Sequence, residues 1–307
     1  MKILSLVTVL SSLGSTSASP FKRNALITAV SHGGANPLTP VAAAKMSGVL
    51  SIANGAYLAL APSKSLKVYG VEEEITNPIN VKNLRRAGLL VLNMGVYVYC
   101  LIFKDYGIRA SVAINSLMLV AEKLSSLFNN ESETIGPSKA FDLSFLAITG
   151  STAYAALNNL ECFNPLFKAY SVWITSVGLL DYFSPQKAAK CFEITGDDEM
   201  TPGIIEIIGS ICCMLGTLTA SLAWGAAPID AIGYTAAVSA VLNLKGLFFS
   251  PEMDDTGINK GALAFWSVSI TGIAASIFLP LKMNGNGDGD FDGCKIEKGW
   301  GASEPLK

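Results

Sequence analysis

The sequence predicts an all-α, polytopic membrane protein of about eight transmembrane helices in two parallel four-helix repeats. Three observations carry that fold class. Half of the 307 residues are apolar and 15% are charged, with a positive mean hydropathy, whereas soluble domains are about a quarter charged. Eight apolar runs follow one another, with cores at 43–61, 87–103, 108–128, 140–157, 167–184, 204–224, 229–249 and 261–280. Each approaches the ~20 residues that cross a bilayer as a helix. Finally, polar punctuation recurs at one spacing, the signature of an internal repeat.

The recurrence is specific. Pro62-Ser63-Lys64 with Lys67 is answered by Pro185-Gln186-Lys187 with Lys190, 123 positions later. Gly88 and Gly95 are answered by Gly209 and Gly216 at an offset of 121, where Ile108, Ala110 and Phe128 also meet Ile229, Ala231 and Phe249. Ile148-Thr149-Gly150 returns as Ile270-Thr271-Gly272, 122 later. Apolar runs align easily by chance, but a Pro-x-Lys-x-x-Lys and glycines seven apart do not. The expected organisation is a first four-helix module at 43–157, a second at 167–280 and a flexible acidic tail at 281–307. An even number of spans per module gives both the same orientation, hence a parallel repeat. A soluble helical bundle is the competing reading, but the density of apolar runs leaves little sequence for a solvated helix face.

Residues 1–18 have signal-peptide anatomy: Lys2, a short apolar run from Ile3 to Leu10, and Ala18 at a cleavage position. That run is too short to span a bilayer. From Ser19 to Val71 there is no acidic residue, while Lys22, Arg23 and several hydroxyl residues are present, which is transit-peptide composition over about 19–42. The junction Ser17-Ala18-Ser19-Pro20-Phe21 resembles that of the two-part plastid presequences of algae with secondary plastids, with a Ser-Pro before the aromatic. That resemblance implies a plastid membrane; an ordinary secretory signal implies the endoplasmic reticulum or endomembranes.

Basic residues divide unequally among the loops. Connections 1–2, 3–4, 5–6 and 7–8 carry Lys64, Lys67, Lys82, Arg85, Arg86, Lys139, Lys187, Lys190 and Lys260. The other connections are short and hold little beyond Lys104, Asp105, Arg109, Glu161, Asp230 and Lys168. The positive-inside rule places the first set on the cytoplasmic or stromal side.

Several chemistries are excluded by inventory. The single histidine, His32, lies in the presequence, and the six cysteines show no CxxC or Cys/His spacing. No P-loop, dinucleotide fingerprint or Ser/His/Asp set occurs. No catalytic, cofactor or metal site is therefore expected, and a net charge of -2 argues against nucleic acid as a partner. The expected partners are the lipid bilayer and other membrane proteins. The tail Asp288-Gly-Asp290-Phe-Asp292-Gly293 fits the first half of an EF-hand loop, but Gly299 stands where the bidentate Glu belongs. The acidic groups Glu72-Glu73-Glu74, Asp197-Asp198-Glu199 and Asp254-Asp255 read as solvated loops.

Ionisable residues inside spans are functional candidates because burying them is costly. Glu122 and Lys123, Asp142, Asp181, Glu206 and Lys245 are the set, and Glu122, Asp142 and Asp181 form the candidate intramembrane polar site. Most lie within about two turns of a predicted helix end, where side chains reach the interface by snorkelling. Glu122 sits deepest and meets Asn243, not an acid, in the second copy. Gly88, Gly95, Gly209 and Gly216 share helix faces and are expected to permit close helix packing.

The layout of Arg86 and Gly88 opening a second helix, Arg109 opening a third, and Glu122 within it resembles small four-helix membrane scaffold proteins. That family includes the endoplasmic-reticulum scaffold of ergosterol-synthesis enzymes. The second copy departs from it, with Glu206 near the Arg86 position, Asp230 for Arg109 and Asn243 for Glu122. The resemblance implies a non-enzymatic scaffold or assembly protein. The alternative is a transporter or carrier of a small or lipid-like substrate, which requires Glu122, Asp142 or Asp181 to face an internal polar cavity. A membrane enzyme would need an acid–lysine cluster assembled on the loop side.

Overall fold

A computed structural model describes residues 39–71, 75–128, 139–192, 194 and 200–279, and these contain helices and no strand. The helices are α1 Pro40–Leu60, α2 Pro62–Ser65, α3 Pro78–Ile102, α4 Ile108–Phe128, α5 Lys139–Leu157, α6 Phe163–Phe183, α7 Pro185–Cys191, α8 Met200–Ala223, α9 Pro228–Phe249, α10 Pro251–Asp255 and α11 Lys260–Phe278, with a 3-10 turn at Leu66–Tyr69. Six of them (α3, α4, α5, α8, α9 and α11) are long and apolar enough to cross a membrane, which is compatible with an integral membrane protein. Two more, α1 and α6, are 21 residues long. The predicted signal, transit segment and acidic tail lie outside the described residues, apart from Thr39–Ala42.

Helix starts follow from local chemistry. Proline opens α1, α2, α3, α7, α9 and α10, where its missing N–H would have no intrahelical acceptor in any case. Thr39, Asn77 and Asn259 cap α1, α3 and α11, accepting from the amides of Ala42 at 3.2 Å, Ile79 at 2.9 Å and Gly261 at 2.7 Å. The short connections turn tightly, and Asp105, Asn159 and Gly225 take left-handed backbone there. Asp, Asn and Gly tolerate that conformation best.

The most extensive helix contacts are α1 with α3 and α6 with α8, followed by α9 with α11 and α4 with α5. Glycines set the first two. A Cβ on Gly88 would strike the Leu58–Ala59 backbone, and one on Gly95 would strike Ile52. A Cβ on Gly209 would strike Asp181 and Tyr182, and one on Gly216 would strike Thr175. Gly150 and Gly272 face open space instead. Between these pairs α3 packs on α8. There Thr201 Oγ1 donates to Asn80 Oδ1 at 3.0 Å across a separation of 121 residues. Ala87, Val91 and Ile211 form an apolar cluster around the same contact.

Successive long helices run antiparallel, so the bundle has two distinct ends. One holds the short connections, where basic groups lie over rings: Arg109 is 4.7 Å from the Phe163 centroid, Lys45 5.2 Å from Phe103 and Lys168 5.6 Å from Trp224. The other holds the longer connections with α2, α7 and α10. Large apolar side chains cover the outside, among them Phe249, Val268, Tyr154 and Phe183. Such a surface suits lipid contact and not water.

Candidate functional site

The buried charges gather at the end of the longer connections, beside two cavities. The first has a volume of about 120 Å³ and is enclosed by α3, α4, α5, α6 and α8. The second, about 210 Å³, lies among α1, α3, α8, α9 and α11.

Charge lines the first cavity. Arg86, two turns into α3, places Nε 3.8 Å from Glu122 Oε1, and its Nη2 donates to Ser126 Oγ at 2.9 Å. Lys123 Nζ lies 3.6 Å from Glu122 Oε2 and 3.2 Å from Asp142 Oδ1, and 5.4 Å from the Phe145 ring centroid. Asp142 is wholly buried in the first turn of α5, where the helix dipole favours an anion. Asp181 is 5% exposed, lines the cavity, and its Oδ1 has no hydrogen-bond partner. It sits two residues from the end of α6, where the helix dipole disfavours an anion. Phe141, Phe145, Trp173 and Phe192 complete the wall. Ring centroids there are 5.3 Å apart for Phe141–Trp173, 4.5 Å for Phe141–Phe192 and 5.1 Å for Phe145–Trp173. Deeper in, Asn115 Nδ2 donates to Asn93 Oδ1 at 3.1 Å and Asn93 Nδ2 to the Asn115 carbonyl at 3.3 Å, tying α3 to α4.

The second cavity is mostly apolar, with one ion pair at its rim. Glu206, 1% exposed, accepts from Lys245 Nζ at 2.6 Å and from the Ser250 hydroxyl. Lys245 also donates to the Tyr182 carbonyl at 3.3 Å and lies 4.4 Å from the Tyr182 ring centroid. At the mouth, Asn54 Nδ2 donates to the Tyr69 hydroxyl at 3.1 Å. Burial holds the Tyr69 phenol above its ordinary pKa, with the Asn54 hydrogen bond acting the other way.

Many residues of the two linings match at the sequence offsets. Arg86 and Glu122 of the first answer Ile207 and Asn243 of the second at 121. Trp173, Val177 and Asp181 answer Leu50, Asn54 and Leu58 at 123, and Phe141 answers Leu263 at 122.

The structure therefore brings Glu122, Asp142 and Asp181 to one place. Glu122 and Asp181 line the first cavity, and Asp142 lies behind Lys123. The expectation that the ionisable residues snorkel is overturned for Lys123, Asp142, Asp181 and Glu206, which are buried. Neighbouring helices enclose these turns and supply counter-ions to all but Asp181. Arg86, expected in a loop, is buried too, because α3 begins at Pro78. The Pro78 start signal with Asn77 before it could have extended that span. Asp254 pairs at the surface with Lys260 at 2.9 Å. Glu72–Glu74, Asp197–Glu199 and the EF-hand-like tail lie outside the described residues. Among the described residues no group of His, Cys, Asp and Glu is placed to hold a metal ion. No protein-family model, curated protein or solved structure matches the chain.

Proposed function

We propose that this chain is a non-enzymatic membrane carrier of a small or lipid-like substrate, built from two same-oriented four-helix modules that total eight spans. One observation carries the reading: two candidate acids from the sequence, Glu122 and Asp181, face an internal cavity between the two halves. Spare polar capacity inside a membrane protein marks a pathway or a ligand site. The correspondence of the two linings, the matched glycine contacts and the Asn80–Thr201 bond between equivalent positions support the duplication. A residue that bonds its own equivalent lies on a two-fold axis. The presequence favours a plastid membrane on its two-part reading and an endomembrane on its secretory reading.

A scaffold is the second reading, and a different observation favours it. Apart from Asp181, the buried charges neutralise one another, as in Arg86–Glu122–Lys123–Asp142 and Glu206–Lys245. A rigid, internally satisfied body suits a protein that gathers others. Native mass spectrometry of the full chain in nanodiscs separates the two. A carrier retains a small molecule or lipid that Val177→Trp, filling the first cavity, displaces while the protein stays monodisperse. Retained protein partners, with no small ligand sensitive to Val177→Trp or to Asn54→Trp in the second cavity, would favour the scaffold and overturn the carrier.

A further inference from the structure

We infer that the first cavity binds a small organic cation, an amine or quaternary ammonium group with an apolar body, and that Asp181 is its counter-ion. The inference rests on the carrier reading and gives it a ligand class. Charge counting comes first. Among the described residues, Arg86 and Lys123 are the cations beside the cavity, and Glu122, Asp142 and Asp181 the anions. Arg86 is engaged by Glu122, and Lys123 by Glu122 and Asp142. Two against three leaves one negative charge, and Asp181 is the carboxylate of the three that no cation pairs with, its Oδ1 also without a hydrogen-bond partner. An unpaired buried carboxylate costs several kcal/mol, and the C-terminal end of α6 adds to that cost. A singly charged cation in the cavity relieves both.

The wall selects among cations. A calcium- or magnesium-type ion takes about six or more oxygen ligands, and the wall offers aromatic side chains beside its few polar ones: Phe141, Phe145, Trp173 and Phe192. Aromatic faces, tryptophan above all, attract ammonium groups and suit methylated ones, which carry little hydration to lose. An anion would meet the surplus negative charge. A neutral apolar ligand would leave Asp181 unsatisfied. The cavity, at about 120 Å³, far exceeds the ~10–15 Å³ that a single water requires.

Choline and 3,3-dimethylbutan-1-ol have the same shape and differ in charge, so calorimetric titration of both into the full chain in phosphatidylglycerol nanodiscs is the test. Choline should bind at least about tenfold tighter than the alcohol. Asp181→Asn should erase that preference, and Trp173→Leu should weaken choline severalfold. If Asp181→Asn does not fold, Trp173→Leu carries the test. Phosphatidylcholine nanodiscs identify the source. A lipid headgroup ligand would abolish the response to free choline there, and the wild type but not Asp181→Asn would retain that lipid through purification. A free amine would bind equally in both discs. Equal binding of the two probes, or choline binding unchanged in Asp181→Asn, overturns the cation. If the alcohol binds and Val177→Trp displaces it, the carrier stands without it. If neither probe binds and no lipid is retained, both readings fall.

Discussion

Many residues of the two cavities match at sequence offsets of 121 to 123, yet at those positions most charged or aromatic residues of the first meet aliphatic or neutral ones in the second. Glu122 stands against Asn243, Asp181 against Leu58, and Trp173 against Leu50. The glycines behave in the opposite way: Gly88 and Gly209 press on the backbone of the facing helix at equivalent points, as do Gly95 and Gly216 on Ile52 and Thr175. The difference has a physical cause. A backbone-to-backbone contact admits no Cβ, so the residue there has one solution. A cavity wall admits any side chain of tolerable volume, so its chemistry is free to differ. Close helix contact resides in the glycines, and the difference in chemistry in the walls.

Breaking the charged side should have the largest effect. Lys123→Met leaves Asp142 wholly buried without its cation, a loss of about 3–5 kcal/mol. A clear fall in melting temperature, recovered when Asp142→Asn is added, would be read by intrinsic-fluorescence melting in detergent. Failure of the second substitution to rescue would show that the pair is not the cause. Next, Gly88→Ala and Gly209→Ala should each cost about 1–3 kcal/mol by forcing helices apart. Gly150→Ala, with open space around it, should gain up to about 1 kcal/mol from helix propensity. Unequal costs at Gly88 and Gly209 would break the equivalence of the two helix pairs. The smallest effect belongs to the apolar side. Asn243→Leu should change stability by no more than about 0.5 kcal/mol, and a large loss would mean that the second cavity depends on polarity after all.

Much of the helical frame was legible in the sequence, because apolar length and proline punctuation are local properties. The predicted span 87–103 began nine residues late: Asn80, Asn83 and Arg86 look like loop residues, but α4 and α8 bury them. The short helices α2, α7 and α10 were hidden in connections, although Pro62, Pro185 and Pro251 mark their starts. Glu122, Asp142 and Asp181 were legible as costly residues. Their pairing was not, because which acid meets Lys123 depends on the rotation of α4 against α5 and α6. Hence Asp181 emerged as the unpartnered group only once its neighbours were in place.

Among the described residues the buried charge lies at one end of the bundle, while at the end with the short turns basic groups rest on aromatic rings. The bundle is therefore lopsided from end to end. On the carrier reading proposed above, a guest entering beside the longer connections would meet the buried charges first, while the helix pairs α1–α3 and α6–α8 stay closely packed at their glycines. On that reading, such a body would receive and return its cargo on the same side.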